Sequence, residues 1–167
     1  MENGRKETDI GTIPVEWDVA PLGSIATFSR KPRALQLTDY TMIPFFPMEV
    51  LPENGILVQE YEPKLPDEIR SGTFVKRGDI LLAKITPSFE NGKQAIVENI
   101  PTPFAYATTE VYPFHPSNSE QLDRMFLFYY FKLSNVRVDI AGKMEGTTGR
   151  QRVQKLFLKI ISFPYRQ

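Results

Sequence analysis

Gly146-Thr147-Thr148-Gly149-Arg150-Gln151-Arg152 concentrates hydrogen-bonding chemistry in one short stretch. Two glycines bracket two hydroxyls, and two arginines follow with an amide between them. Gly146 and Gly149 permit backbone conformations and close approaches that side-chain-bearing residues resist. Thr147 and Thr148 offer short donors and acceptors. Arg150 and Arg152 are rigid forks matched to phosphates or guanine edges. A loop so equipped suits the docking of a nucleic acid. A polar turn before a short helix accounts for the same residues without any ligand.

A second loop, Thr86-Pro87-Ser88-Phe89-Glu90-Asn91-Gly92-Lys93, joins two strand-like segments and has Lys84 and Lys93 at its ends. There the lysines could neutralise phosphates while Thr86, Ser88 and Asn91 reach base edges. In the plainer reading Phe89 tucks under the loop and the polar groups satisfy the turn. Arg30-Lys31-Pro32-Arg33 adds three positive charges and no acid.

The whole chain of 167 residues is neutral, with 20 Lys+Arg against 20 Asp+Glu. That counts against a nucleic-acid binder, which is usually basic. Position matters more than the total. Lys143, Arg150, Arg152, Lys155 and Lys159 lie close together with only Glu145 among them, whereas Glu49, Glu53, Glu60, Glu62, Asp67 and Glu68 make the middle acidic. A polarised surface is expected.

Several chemistries are disfavoured. Cysteine is absent, which removes disulfides, thiolate metal sites and thiol catalysis. A single His115 allows no multi-histidine metal site, and it reads as structural or solvated. Pro66-Asp67-Glu68 lacks the lysine-bearing partner of a nuclease centre, and there is no Gly-Lys-Ser/Thr loop for ATP. No glycine-rich turn after a first strand marks a methyltransferase core. No apolar run nears the about 20 residues of a membrane span. The expectation is a soluble, cytoplasmic, non-catalytic protein with no metal and no cofactor.

These loops need a scaffold. Residues 1–12 read as a flexible lead, 13–164 as one domain and 165–167 as a tail. Trp17 is expected to anchor the opening segment on the core. Ala26-Thr27-Phe28-Ser29 reads as a short strand. Met42 to Leu51, broken by Pro44 and Pro47, reads as an edge or irregular strand. Ile56 to Tyr61, Ile80 to Ile85, Gln94 to Glu98 and Ala105 to Phe114 are further strands. Ser117-x-x-Glu120 has capping-box spacing, so a helix is expected from Asn118 or Ser119 with Leu122, Met125, Phe126, Tyr129 and Tyr130 on its buried face. Asn135 to Lys143 and Val153 to Leu158 follow as short helical pieces, and Ile160 to Phe163 as a closing strand. The fold class is α+β, sheet-rich first and helical later.

Four segments occur in a telling order: Arg77 to Ser88, Glu90 to Lys93, Ala107-Thr108-Thr109-Glu110, and Gly146 to Val153. That order resembles the target-recognition domain of the specificity subunit of type I restriction–modification systems. Ile10 to Trp17 with Pro21-Leu22-Gly23 is similar to the start of such a subunit, and Phe157 to Pro164 resembles the exit towards its helical spacer. The resemblance spans about residues 10–164. It implies a non-catalytic subunit whose recognition domains each read half of a split DNA target. Long spacer helices in that family hold modification subunits, which methylate adenine with S-adenosylmethionine, and a separate motor subunit cuts DNA. This sequence departs from the plan in having one recognition domain and no long spacer helix.

On this reading the chain is a half or truncated specificity subunit that binds double-stranded DNA. Its partners would be a modification (methyltransferase) subunit and, through it, the motor/restriction subunit. Arg30, Lys31, Arg33, Lys84 and Lys93 would position phosphates. Thr86, Ser88, Asn91, Thr147, Thr148, Arg150, Gln151 and Arg152 would make base or mixed contacts. Thr108, Thr109 and Glu110 read as structural. The competing reading is a protein-interaction module that ignores DNA and uses Phe45, Phe46 and Tyr61.

Overall fold

The computed structural model describes residues 4–166. In chain order it contains β1 (Arg5–Thr8), β2 (Gly11–Pro14), β3 (Trp17–Pro21), α1 (Leu22–Ile25), β4 (Ala26–Phe28), β5 (Ile43–Phe46), β6 (Glu62–Lys64), β7 (Thr73–Lys76), β8 (Ile80–Ala83), β9 (Gln94–Ile96), β10 (Phe104–Ala107) and β11 (Val111–Pro116). Then follow α2 (Arg124–Tyr130), α3 (Ser134–Ala141), β12 (Glu145–Thr147), β13 (Arg150–Arg152), α4 (Lys155–Ile160) and β14 (Ser162–Arg166). This is the expected α+β architecture.

Two four-stranded sheets carry the fold, in the orders β6-β5-β10-β7 and β4-β11-β8-β9. Only the β10–β5 pairing within them is parallel. The chain crosses between the sheets four times, and two of the crossings are tight, at Arg77-Gly78-Asp79 and at Thr108-Thr109-Glu110. At the first of these two Asp79 is fully buried. Its carboxylate accepts from the Lys76 N–H at 2.8 Å and sits 2.7 Å from His115 Nδ1 on β11. A buried carboxylate needs such partners, so the one histidine serves the framework.

Strand β8 shows why the sheets stack. Successive side chains alternate between faces, and Ile80 and Leu82 face the cluster under the helices while Leu81 faces the cluster between the sheets. Both faces are covered, so the strand is apolar throughout. Phe46, Val75, Ala105 and Ala107 of the first sheet meet Leu81, Ala95 and Val111 of the second. Phe28, Tyr112, Phe114, Phe128, Phe131 and Phe163 fill the helical side. Trp17 meets Phe126 edge-on with ring centroids 5.0 Å apart, which anchors the opening segment as expected.

Several boundaries differ from the sequence reading. Residues 1–12, expected as a flexible lead, include β1 and the start of β2, paired antiparallel from Arg5↔Pro14 to Thr8↔Gly11. Residues 1–3 lie outside the described residues. Tyr165 and Arg166 of the expected tail belong to β14, which pairs with β3; Gln167 is outside the description. Strand β5 is not an edge, because β6 and β10 flank it; Pro44 faces Pro63, so two residues lacking N–H are matched. Residues 56–61 form no strand. Leu57 makes only an isolated parallel bridge to Ile96. The strand expected over Ala105 to Phe114 is two strands in different sheets.

The helix expected from Asn118 starts at Arg124. Asn118 closes a single turn, with its Oδ1 accepting from Glu120 N at 2.9 Å. Asp123 then adopts an extended backbone and caps the true helix, accepting from Phe126 N at 2.8 Å. A second good capping residue restarted the helix. Tyr129, expected on the buried face, is 51% exposed.

Candidate nucleic-acid interface

The Gly146–Arg152 stretch is neither a loop nor a turn before a helix. It is the β12–β13 hairpin, in register Glu145↔Arg152, Gly146↔Gln151 and Thr147↔Arg150, with Thr148 and Gly149 at the tip. Gly146 is required where it stands, and Gly149 suits a left-handed backbone at the tip. Gly149 has φ +78, and Gly146 has φ +134 with room for no Cβ, which would lie 2.6 Å from the Arg150 carbonyl oxygen. Thr147, Thr148, Arg150 and Arg152 are exposed.

The hairpin is sewn to the second loop by main-chain bonds. Thr86 N donates to the Gln151 carbonyl at 2.9 Å, and Val153 N donates to the Lys84 carbonyl at 2.8 Å. Ile85 and Arg152 form an isolated antiparallel bridge. Below, the Tyr112 hydroxyl donates to the Val153 carbonyl at 2.8 Å, tying the hairpin's exit to the core. Together these segments wall a cleft of about 320 Å³, lined by Ile85, Thr86, Glu110 and the Gly149–Arg152 strand. Segments about 65 residues apart in sequence thus become one surface.

Cations continue from the cleft along a ridge. Lys84 Nζ stands 4.6 Å from the Tyr112 ring centroid, and Lys155 and Lys159 stand 5.1 and 5.5 Å from that of Phe28. The two rings are neighbours, with centroids 6.2 Å apart. Burial lowers the Lys84 pKa from its ordinary value, and Arg152 and Lys155 lower it further against the opposing pull of Glu110. Burial likewise lowers Lys155, helped by Lys159 and Arg30. These cations feel one another. Among the described residues none of Arg30, Lys84, Arg150, Arg152, Lys155 and Lys159 is in an ion pair. Aromatic faces give the lysines part of what counterions would.

Residues 14–165 match the family described as the type I restriction modification DNA specificity domain. The chain belongs to this family. It is 30% identical over 154 residues to the type I restriction enzyme EcoAI specificity subunit of Escherichia coli, covering 92% of this chain and 26% of that protein. The EcoEI specificity subunit of the same organism is 30% identical over 155 residues, covering 92% and 25%. The chain therefore spans about a quarter of the length of these relatives. Among solved structures, the HsdS subunit of Thermoanaerobacter tengcongensis superposes with a TM-score of 0.71 at 15% identity, over 92% of this chain and 39% of that one. A chain from a structure of the assembly and conformational transition of the type I R-M system gives 0.70 at 18% identity, over 90% and 38%. These likenesses show a shared fold.

Within this specificity domain the sequence-derived candidates divide. Lys84, Thr86, Arg150, Gln151 and Arg152 come together, with Thr147 and Thr148 at the hairpin's outer end. Arg30 joins through Lys155. Lys31 and Arg33 are exposed in the following turn, with no hydrogen bond or ion pair tying them to the hairpin among the described residues. The Thr86 hydroxyl donates to Glu90 at 2.7 Å. Phe89 is buried, as the plainer reading of this loop expected. Ser88 is half-buried and Asn91 exposed. Lys93 turns elsewhere: its ammonium donates to the Met48 carbonyl at 3.0 Å, which takes it out of the free cations. The far end of the loop is also held by Lys132, whose ammonium donates to the Gly92 and Glu53 carbonyls. Burial, with Arg137 beside it, brings Lys132 down to about 8 against the opposite effect of Glu53.

Lys155, Lys159 and Glu110 were missed. The two lysines entered the charge tally, but their i,i+4 spacing was the available signal that one helix face carries both. Glu110 was expected to be structural, and its N–H does donate to the Thr108 hydroxyl oxygen at 3.3 Å. Its side chain nevertheless lines the cleft. The aromatics of the competing reading are poorly placed for a partner: Phe46 is 1% exposed, and Phe45 lies under Lys64 Nζ at 3.9 Å. Among the described residues no helix is long and apolar enough to cross a membrane.

Proposed function

We propose that this domain binds double-stranded DNA sequence-specifically, as one recognition half of a type I restriction–modification specificity subunit. It carries no catalysis of its own and works in the cytoplasm. A modification subunit supplies methylation, and a motor/restriction subunit is recruited through it. Arg30, Lys84, Lys155 and Lys159 hold the backbone phosphates, with Lys31 and Arg33 reaching it from the adjoining turn. The hairpin enters a groove, where Arg150, Gln151 and Arg152 meet base edges with Thr86, Thr147 and Thr148 beside them. Ser88 and Asn91 extend this contact along the loop. Glu110 repels phosphate and is matched to a base amino group, the cytosine N4 amine above all.

One observation carries the reading: unpaired cations and base-reading groups from separate segments converge on the β12–β13 hairpin and its cleft. Selection of bound duplexes from a random pool tests it. A defined half-site should emerge. Arg150→Ala and Arg152→Ala should each lose about 1–3 kcal/mol of discrimination at a given base pair. Unchanged selection by both variants would refute the assignment. Failure of the unmodified protein to retain any duplex would return the protein-interaction reading.

A further inference from the structure

We propose that a second hollow, lined in part by Phe28, is a binding site for one phosphodiester. It is about 490 Å³ and is lined by three cations, Arg30, Lys76 and Lys159, and three hydroxyls, Thr27, Ser29 and Ser117. No acid lines it. In the other cleft Glu110 would repel a phosphate, so the two hollows differ in what they can accept.

Its parts come from four elements. Strand β4 supplies Thr27, with Ser29 and Arg30 just beyond it. Ser117 follows β11 and its hydroxyl lies 2.8 Å from Thr27 Oγ1. Lys76 ends β7 and Lys159 lies in α4. Helix α4 reaches the hollow because residue 23 is glycine. A Cβ there would stand 3.1 Å from Lys159 Cβ and 3.2 Å from its carbonyl oxygen, so only glycine leaves the present spacing undisturbed.

Among the described residues no carboxylate lines the hollow to neutralise this charge. Among the described residues neither Arg30, Lys76 nor Lys159 is in an ion pair. The nearby acid Asp79 is buried and bound to Lys76 N and His115. A chain of zero net charge that gathers three cations without a carboxylate leaves room for a bound anion. Paired hydroxyls supply the donors that orient a tetrahedral oxyanion. The hollow is open to solvent and connects through Lys155 to the cation ridge, which favours a phosphate within a polymer. The inference therefore deepens the DNA reading and rests partly on it.

Amide NMR of the full chain with a random-sequence duplex, and separately with inorganic phosphate, provides the test, alongside Lys76→Gln and Lys159→Gln. With duplex, the Thr27, Ser29 and Ser117 amides should shift. Each variant should reduce the slope of log affinity against log salt by about one, equally for every sequence. Lys76→Arg and Lys159→Arg should restore it. If the unmodified chain binds duplex with a steep salt dependence that both glutamine variants keep, this site is refuted and the DNA reading stands. If duplex does not bind but inorganic phosphate shifts the same amides, and Lys159→Gln abolishes that shift, the site is upheld with free phosphate as ligand and the DNA reading falls. If neither ligand shifts them, the site is refuted, and the DNA reading falls with it only where the duplex is not bound at all.

Discussion

Lys84 and Lys155 are held with pKa values below that of a free lysine, chiefly by burial and then by neighbouring cations. A phosphate seated against them would favour the charged form and raise both values again. In the window between the free and bound values the complex then holds more protons than the separated partners. DNA binding should take up protons in the range below the ordinary 10.5, and affinity should fall as pH rises through that window. Calorimetry in buffers of different ionisation enthalpy reads this uptake directly. Arginine stays protonated, so the double variant Lys84→Arg, Lys155→Arg should bind without it. Persistent uptake in that variant would place the titrating groups elsewhere. Lys132, brought to about 8 by burial, follows the other rule. Between about pH 8 and 10.5 the unfolded chain binds more protons at this residue than the folded one, so its contribution to stability grows as pH rises. Denaturant titrations of Lys132→Met should show a flatter stability profile over that range.

At the scale of elements, the β12–β13 hairpin is the part whose geometry depends on single atoms. Gly146→Ala puts a Cβ 2.6 Å from the Arg150 carbonyl oxygen at a φ of +134. The hairpin should open and DNA binding should fall by at least an order of magnitude, while circular dichroism of the sheets is unchanged. Gly149→Asn is the control, because nothing lies within 4 Å and asparagine tolerates a φ of +78. It should bind within a few-fold of the unmodified protein. Equal behaviour of the two variants would mean the hairpin's shape is irrelevant to binding. This hairpin also marks the limit of what the sequence discloses. Strand β8 was legible because a run of Ile80, Leu81 and Leu82 has both faces buried. The hairpin strands have three polar or glycine residues each, so no apolar alternation announced them. Their pairing is decided by bonds to Lys84 and Thr86, far away in the chain. The composition of the two segments, with Arg150 and Gln151 among their polar groups, could be read. Their assembly could not, since Lys93 and Lys84 look alike in sequence while only Lys84 reaches the ridge.

For the molecule as a whole, zero net charge conceals an uneven distribution. Glu49, Glu53, Glu60, Glu62, Asp67 and Glu68 lie in or beside the first sheet's connections, while the ridge of Arg30, Lys84, Arg152, Lys155 and Lys159 follows the second sheet and α4. Such a molecule should meet DNA in one orientation, with steering supplied by the ridge and opposed by the acidic side. Counterion release gives a slope of about −0.9 for each phosphate neutralised. The seven cations assigned to phosphates, Arg30, Lys31, Arg33, Lys76, Lys84, Lys155 and Lys159, therefore predict a slope of about −6 when log affinity is measured against log salt by fluorescence anisotropy. A neutral protein with scattered charge would give a slope near zero. Reversing Lys155 and Lys159 to glutamate should abolish duplex binding, whereas reversing Glu60 and Glu62 to lysine should leave the slope within about one of its original value. If both reversals changed binding alike, net charge alone would govern the interaction and the ridge would have no particular role.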